Sequence, residues 1–262
     1  MVAAARRYGE ARSAPPARRQ SGGIARALLK WLGVLLAAWL LLTLTPVVLL
    51  RWLRPLTTAF MLEARFEAWQ AGDRTYHTDY AWVSLEEISP HAAMAVIASE
   101  DQQFPYHAGF DLQSIRAAVR ASERGKRLRG ASTISQQVAK NLFLSPAHSF
   151  LRKGLEAYFT VLIEALWPKE RILETYLNIA QFGNGIYGVQ AAAGRFWHKS
   201  ARRLSPAEAA LLAAVLPNPL RLHPDRPSRS VLMRRDWILG QMRALGGPAY
   251  LEALERERRA GR

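Results

Sequence analysis

Hydrophobic positions recur with a helical period along most of this chain, and one run is apolar throughout. From Trp31 to Leu50 twenty residues pass without a charge. At about 1.5 Å per residue a helix of that length spans roughly 30 Å, the thickness of a bilayer's hydrocarbon core. Trp31 and Trp52 stand at its two ends, where amphipathic indoles favour the interface. Pro46 is expected to kink the last turn or end the helix early. A cleaved signal peptide is the alternative, but it has a shorter apolar core and a small-residue cleavage site, and Leu50–Leu56 offers neither.

After this segment Thr57–Trp69 reads as a helix, and the polar stretch Gln70–Trp82, with Gly72-Asp73, reads as a connector. Alternation at period two is nearly absent after residue 85, which predicts a mainly α domain. Ser89-Pro90 supplies an N-cap and a proline at the first helical position, opening a helix that ends near Glu100. Asp111–Arg124 is amphipathic through Ile115, Ala118 and Val119. A further helix starts at Ser132 or Thr133, with Thr133 and Gln136 spaced as a capping box. Leu151–Leu166 carries the stripe Leu155, Phe159, Leu162 and Leu166 and is stopped by Trp167-Pro168. Ser205-Pro206-Ala207-Glu208 is a second capping box, opening a helix to Leu216. Pro217–Pro227 is a proline-rich loop, a basic helix covers Ser230–Ala244, and a shorter one follows Pro248.

Charge sharpens the membrane reading. The net charge is +15. Residues 1–30 hold seven Lys or Arg against the single acid Glu10, and the first twenty-three have no apolar period. This predicts a basic, disordered cytoplasmic tail at 1–30, a transmembrane anchor at 31–50, and the rest of the chain outside. No nucleic-acid motif accompanies the charge, so nucleic acid is not an expected partner. The chain has no cysteine, which excludes disulfides, thiolate metal sites and a cysteine nucleophile.

Three groups of residues can carry chemistry. Glu100, at a helix end, faces the negative end of the helix dipole, which raises a carboxyl pKa toward the range of a general base. An acid beside an aromatic turn also serves simply as a cap or ion-pair partner. On the helix from Thr133, Ile134, Val138 and Leu142 fall on one side, while Gln136, Gln137, Lys140 and Asn141 cluster on the other. The N-terminus of that helix adds free N–H groups and the hydroxyls of Ser132 and Thr133, a ready anion site. Arg152, Lys153 and Glu156 are spaced to share one helix face; alone, that pattern is an ordinary intrahelical ion pair.

The order of these groups is more specific than any one of them. Glu100-Asp101-x-x-Phe104-x-x-His107-x-Gly109, followed by Arg129-Gly130-Ala131-Ser132-Thr133-Ile134-Ser135-Gln136-Gln137, resembles the family 51 peptidoglycan transglycosylases. Ala131 stands where many members have glycine. Arg152-Lys153-x-x-Glu156 is similar to the family's third motif, Lys169–Asn178 with the glycine turn Phe182–Gly188 to its fourth, and Leu204–Pro219 to its fifth. The likeness covers about Ser84–Pro227. Only thirty-five residues follow Pro227, without a transpeptidase domain, as in the monofunctional branch.

The resemblance implies a mainly α, lysozyme-like domain in two lobes at 84–227, after a juxtamembrane helix and connector at 51–83. A C-terminal helical extension, 228–262, is expected to pack on it. It also implies that lipid II is polymerised into β-1,4 glycan with release of undecaprenyl pyrophosphate. Glu100 would then be the base and Glu156 the second essential carboxylate. Lys140, Arg152 and Lys153 would hold the pyrophosphate. Asp101, Phe104, His107, Gly109, Ser132, Thr133, Gln136, Gln137 and Asn141 would bind or shape the substrate, while Glu174, Asn178 and Gly185 either line the cleft or belong to the scaffold. No tightly bound cofactor is implied; Mg²⁺ or another divalent cation would ride on the phosphates. The expected partners are the lipid II donor, the glycan acceptor, the membrane, and cell-wall or division proteins. The expected place is the inner membrane, with the catalytic domain periplasmic. A lytic hydrolase with the same fold and a non-enzymatic scaffold are the rival readings. Leu142-Phe143-Leu144 and Phe150-Leu151 either pack in the core or form an apolar lip dipping into the bilayer.

Overall fold

The computed structural model describes residues 21–123, 132–146 and 149–251. The first twenty residues of the tail, Arg129-Gly130-Ala131 of the second motif, and the Ala147-His148 half of the Ser-Pro-Ala-His turn lie outside them. The chain divides into a unit ending at Thr45 and a compact unit beginning at Pro46.

Helix α1 spans Ser21–Leu50. It begins ten residues before the uncharged run, so residues 21–30, expected in the tail, are helical. The helix also passes through Pro46 without ending. Within it Arg26–Leu50 is long and apolar enough to cross a membrane.

The second unit is built mainly from helices: α2 (Ala59–Gln70), α3 (Pro90–Glu100), α4 (Leu112–Glu123), α5 (Ile134–Phe143), α6 (Phe150–Leu166), α7 (Lys169–Ile179), α8 (Val189–Trp197), α9 (Pro206–Val215) and α10 (Arg229–Ala244). They form two packed groups. In one, α3, α9 and α10 lie against each other; in the other, α5 packs on α6 and α7, and the groups meet where α3 touches α7. The first group centres on two helices apolar on every face. In α9, Ala209, Ala210, Leu212, Ala213, Ala214 and Val215 are all buried, and in α3 so is every residue from Ala92 to Ala98. A helix hydrophobic all round belongs inside, and alanine keeps the two backbones close. Glu100 closes α3 at the seam between the groups.

Caps follow the sequence. Thr133 with Gln136 and Ser205 with Glu208 both form reciprocal capping boxes. Ser89 differs: it precedes α3 as expected, yet its hydroxyl donates to the Leu204 carbonyl at 2.8 Å, tying α3 to the start of α9.

A small sheet was not expected. Strands β1 (Asp79–Tyr80), β2 (Gln181–Gly183) and β3 (Ile186–Tyr187) run in the order β1-β3-β2, with β1 parallel and β2 antiparallel to β3. Strands of two or three residues are too short to show a period in sequence. Their turn requires Gly185, whose φ is +71° and where an added Cβ would meet the His77 carbonyl oxygen at 2.2 Å.

Candidate active site

Glu100 is mostly buried, with 17% of its side chain exposed. Its Oε2 accepts the Gln137 amide from α5 at 3.0 Å, and its Oε1 lies 3.6 Å from the Arg234 guanidinium on α10. Burial pushes its pKa above the ordinary glutamate value; Gln137, Arg234 and Lys140 pull it back, while Asp101 adds to the rise. The direction matches the sequence expectation, but desolvation rather than the helix dipole is the main cause.

The rest of the first motif frames this carboxylate. Asp101 is 7% exposed; it accepts His107 Nε2 at 2.9 and 3.0 Å and the Ile134 backbone N–H at 3.0 Å. The second ring nitrogen, Nδ1, accepts the Gly109 N–H at 3.0 Å, so the Nε2–H tautomer fits both bonds. Thr133 Oγ1 donates to the Gly109 carbonyl at 2.7 Å while accepting the Gln136 N–H. Phe104 is 2% exposed, beneath the Lys169 ammonium at 4.6 Å. Asp101, His107, Gly109 and Thr133 thus form a clasp holding the start of α5 against the end of α3, and Asp101 and Thr133 also border the cavity of Glu100. Buried polar groups must be paired, and here they pair with each other.

The polar face of α5 meets α6 across a cavity of about 330 Å³ lined by Phe60, Ser132, Gln136, Gln137, Lys140, Pro146, Arg152, Lys153 and Glu156. Glu156, 3% exposed, accepts Arg152 at 2.9 Å and Lys153 at 2.5 Å, one cation on each oxygen. Lys140, its pKa lowered chiefly by burial, points over the Phe60 ring at 5.2 Å. Three cations against one carboxylate leave the cavity with a net charge of +2. A second cavity, about 380 Å³, holds Glu100 with Asp101, Gln103, Ser114, Ser132, Thr133 and Trp237; Ser132 borders both cavities. A buried carboxyl in one chamber and an excess of cations in the next suit proton removal beside an anionic leaving group.

A model of the family described as Transglycosylase matches residues 69–243. The chain belongs to the transglycosylase family. Proteins named biosynthetic peptidoglycan transglycosylase from Xanthomonas axonopodis pv. citri, Cronobacter sakazakii and Pectobacterium carotovorum are 50%, 52% and 50% identical to it. These likenesses cover 92%, 86% and 88% of this chain and 96%, 90% and 91% of the relatives. The matched region extends past Pro227 and takes in α10.

The transglycosylase motifs are not equally near the two cavities. Glu174 accepts Trp82 Nε1 at 3.2 Å and Arg171 at 2.9 Å, and Asn178 exchanges two hydrogen bonds of 2.9 Å with the backbone of Val83. Neither lines either cavity. They pin the connector before α3: Asn178 satisfies backbone groups that no long strand supplies with partners, and Glu174 takes the Trp82 indole N–H. Asn141, on α5, lines neither cavity, and its Oδ1 is buried and unpaired.

Sequence reasoning missed Tyr176, Phe60, Arg234 and Trp237 as parts of the site. Tyr176 read as a core residue; it is fully buried, but its hydroxyl reaches Gln137. Arg234 and Trp237 lie in what reads as a basic helix of an extension packing on the domain, with no role at the site. Their signal was the spacing of Val231, Ile238 and Met242, which marks the buried face of α10 and leaves Arg234 at its edge.

Proposed function

We propose that this transglycosylase polymerises lipid II into glycan strands by inverting glycosyl transfer, with Glu100 as general base. Glu100 takes the proton of the acceptor's 4-hydroxyl, the resulting oxygen attacks C1 of the donor sugar, and the bond from C1 to the pyrophosphate breaks. The product is a β-1,4 link, and the donor's lipid leaves as undecaprenyl pyrophosphate. Lys140, Arg152 and Lys153 offset the charge that develops on the leaving group, where fixed cations act most strongly. Glu156 holds Arg152 and Lys153 in place. Both its oxygens are engaged by these cations, and among the described residues no group of three His, Asp or Glu is placed to hold a metal. The residues therefore fit a cation-lined pyrophosphate site better than a metal centre.

The observation that carries this reading is the net +2 cavity beside the cavity of Glu100. A lytic hydrolase shares the need for a glutamate but has no use for three cations beside it. The basic residues before α1 support a cytoplasmic N-terminus with the catalytic unit on the outer face of the membrane. Purified protein incubated with labelled lipid II, and separately with finished glycan, distinguishes the readings. Polymer from the first with no fragments from the second is the expected result, and Glu100→Gln abolishes it while leaving the fold intact.

A further inference from the structure

Helix α10 reaches the base from outside the sequence motifs. Val231, Ile238 and Met242 are buried and seat it on α3 and α9. Gln241 accepts the Gln102 amide at 3.1 Å, which fixes α10 two residues beyond Glu100. The same Gln102 amide also donates to the Ala98 carbonyl at 3.0 Å, so the α3 end and α10 are locked together. From this seat Trp237 lines the cavity of Glu100, and Arg234 Nη2 stands 3.6 Å from Glu100 Oε1. Arg234 Nε is buried without a hydrogen-bond partner, so the guanidinium is held by its seat and by Glu100 rather than by a competing acceptor at that nitrogen.

We propose that Arg234 is a positioning residue for the general base: its guanidinium and the Gln137 amide hold the Glu100 carboxylate by one oxygen each. The inference rests on Glu100 being the base. At 3.6 Å Arg234 attracts Oε1 without a full hydrogen bond, leaving that oxygen able to accept the proton of an incoming hydroxyl. Gln137 cannot substitute for it, since its amide is committed to Oε2 and its carbonyl oxygen to Tyr176 at 3.2 Å.

The groups facing Glu100 set the sign of the effect. Asp101, just past the end of α3, favours the protonated form, as does burial; Gln137 and Lys140 on α5 and Arg234 on α10 favour the carboxylate. Removing Arg234 leaves burial and Asp101 opposed only from α5. A smaller fraction of Glu100 is then ionised at a given pH, and the acid limb of the rate profile moves to higher pH.

The test uses the full chain with lipid II, measuring kcat and KM from pH 5 to 9 for Arg234→Gln, Arg234→Met and Arg234→Lys. Melting curves identify the folded variants, and Arg234→Met keeps the aliphatic stem should Arg234→Gln fold poorly. The expected result is a loss in kcat of about threefold or more at low pH that shrinks toward high pH. KM changes by less than about twofold, and Arg234→Lys restores most of the profile. An unmoved acid limb, or a loss confined to KM at every pH, overturns the inference; the latter makes Arg234 a substrate ligand instead. Glu100→Gln in the same assay separates the failures. If it stays active the base itself is misassigned, whereas an inactive Glu100→Gln beside an unmoved Arg234 limb sinks only the role of Arg234.

Discussion

The hydroxyl of Tyr176 donates to the carbonyl oxygen of Gln137 at 3.2 Å, and this decides which end of the Gln137 amide faces Glu100. With its oxygen engaged, Gln137 presents only its NH₂, a donor that favours the carboxylate and aims its Oε2. A core tyrosine thereby reaches the base through one intermediary.

Tyr176→Phe removes that donor without changing the ring's packing. Gln137 Oε1 loses its partner at a cost of about 1 kcal/mol, and the amide is free to rotate. The variant should fold, melt slightly earlier, and lose several-fold in kcat with little change in KM. Wild-type kcat in a folded Tyr176→Phe would show that the amide needs no orientation.

The rate profile should carry the raised pKa of Glu100. Burial disfavours its charge, so the acid limb should titrate above the ordinary value of 4.5. Activity is lost as pH falls through that limb, because the base becomes protonated. A limb at or below the ordinary value would contradict the buried setting.

Gly109→Ala tests the clasp. The backbone there has φ +91°, and a Cβ would stand 2.7 Å from Thr160 Cγ2. Strain and collision together should cost about 2–3 kcal/mol, visible as a lower melting temperature and lost activity. His107 and Thr133 both bond to this residue, so the start of α5 would shift with it.

Lys140→Gln should lower kcat by about 10²-fold, since a buried cation next to a leaving group acts mainly in the transition state. The change leaves the Arg152–Glu156–Lys153 cluster with one carboxylate against two cations. An effect seen only in KM would assign Lys140 to ground-state binding.

The apolar segment between α5 and α6 divides. Leu142 and Leu144 are buried and Phe143 stacks on Phe159 at 4.6 Å, whereas Phe150 and Leu151 are 99% and 76% exposed. Only the latter pair is available to a bilayer. Phe150→Asp with Leu151→Asp should reduce synthesis from lipid II in vesicles while sparing it in detergent micelles. Equal rates in vesicles would remove the lip.

The sequence by itself determined most of the helices, the two capping boxes and the order of the motifs, because helical periods and capping boxes depend on residues a few positions apart. The apolar span, the polar face of α5 and the trio Arg152, Lys153 and Glu156 are local in the same sense, and all were legible. Tertiary structure alone decided which motif residues face the cavities and which hold the frame. Asp101 and Glu100 are neighbours in the chain and border the same cavity, yet Asp101 is tied to His107 and the start of α5 while Glu100 meets Gln137 and Arg234, since the chain leaves the helix between them and each carboxyl meets different partners. Glu174 and Asn178 pair with Trp82 and Val83 for a related reason: the indole N–H of one and the backbone groups of the other, both in a distant connector, needed partners. Arg234 became part of the site only when α9 and α3 gave α10 a seat, because a contact 134 residues away in the chain leaves no period to read.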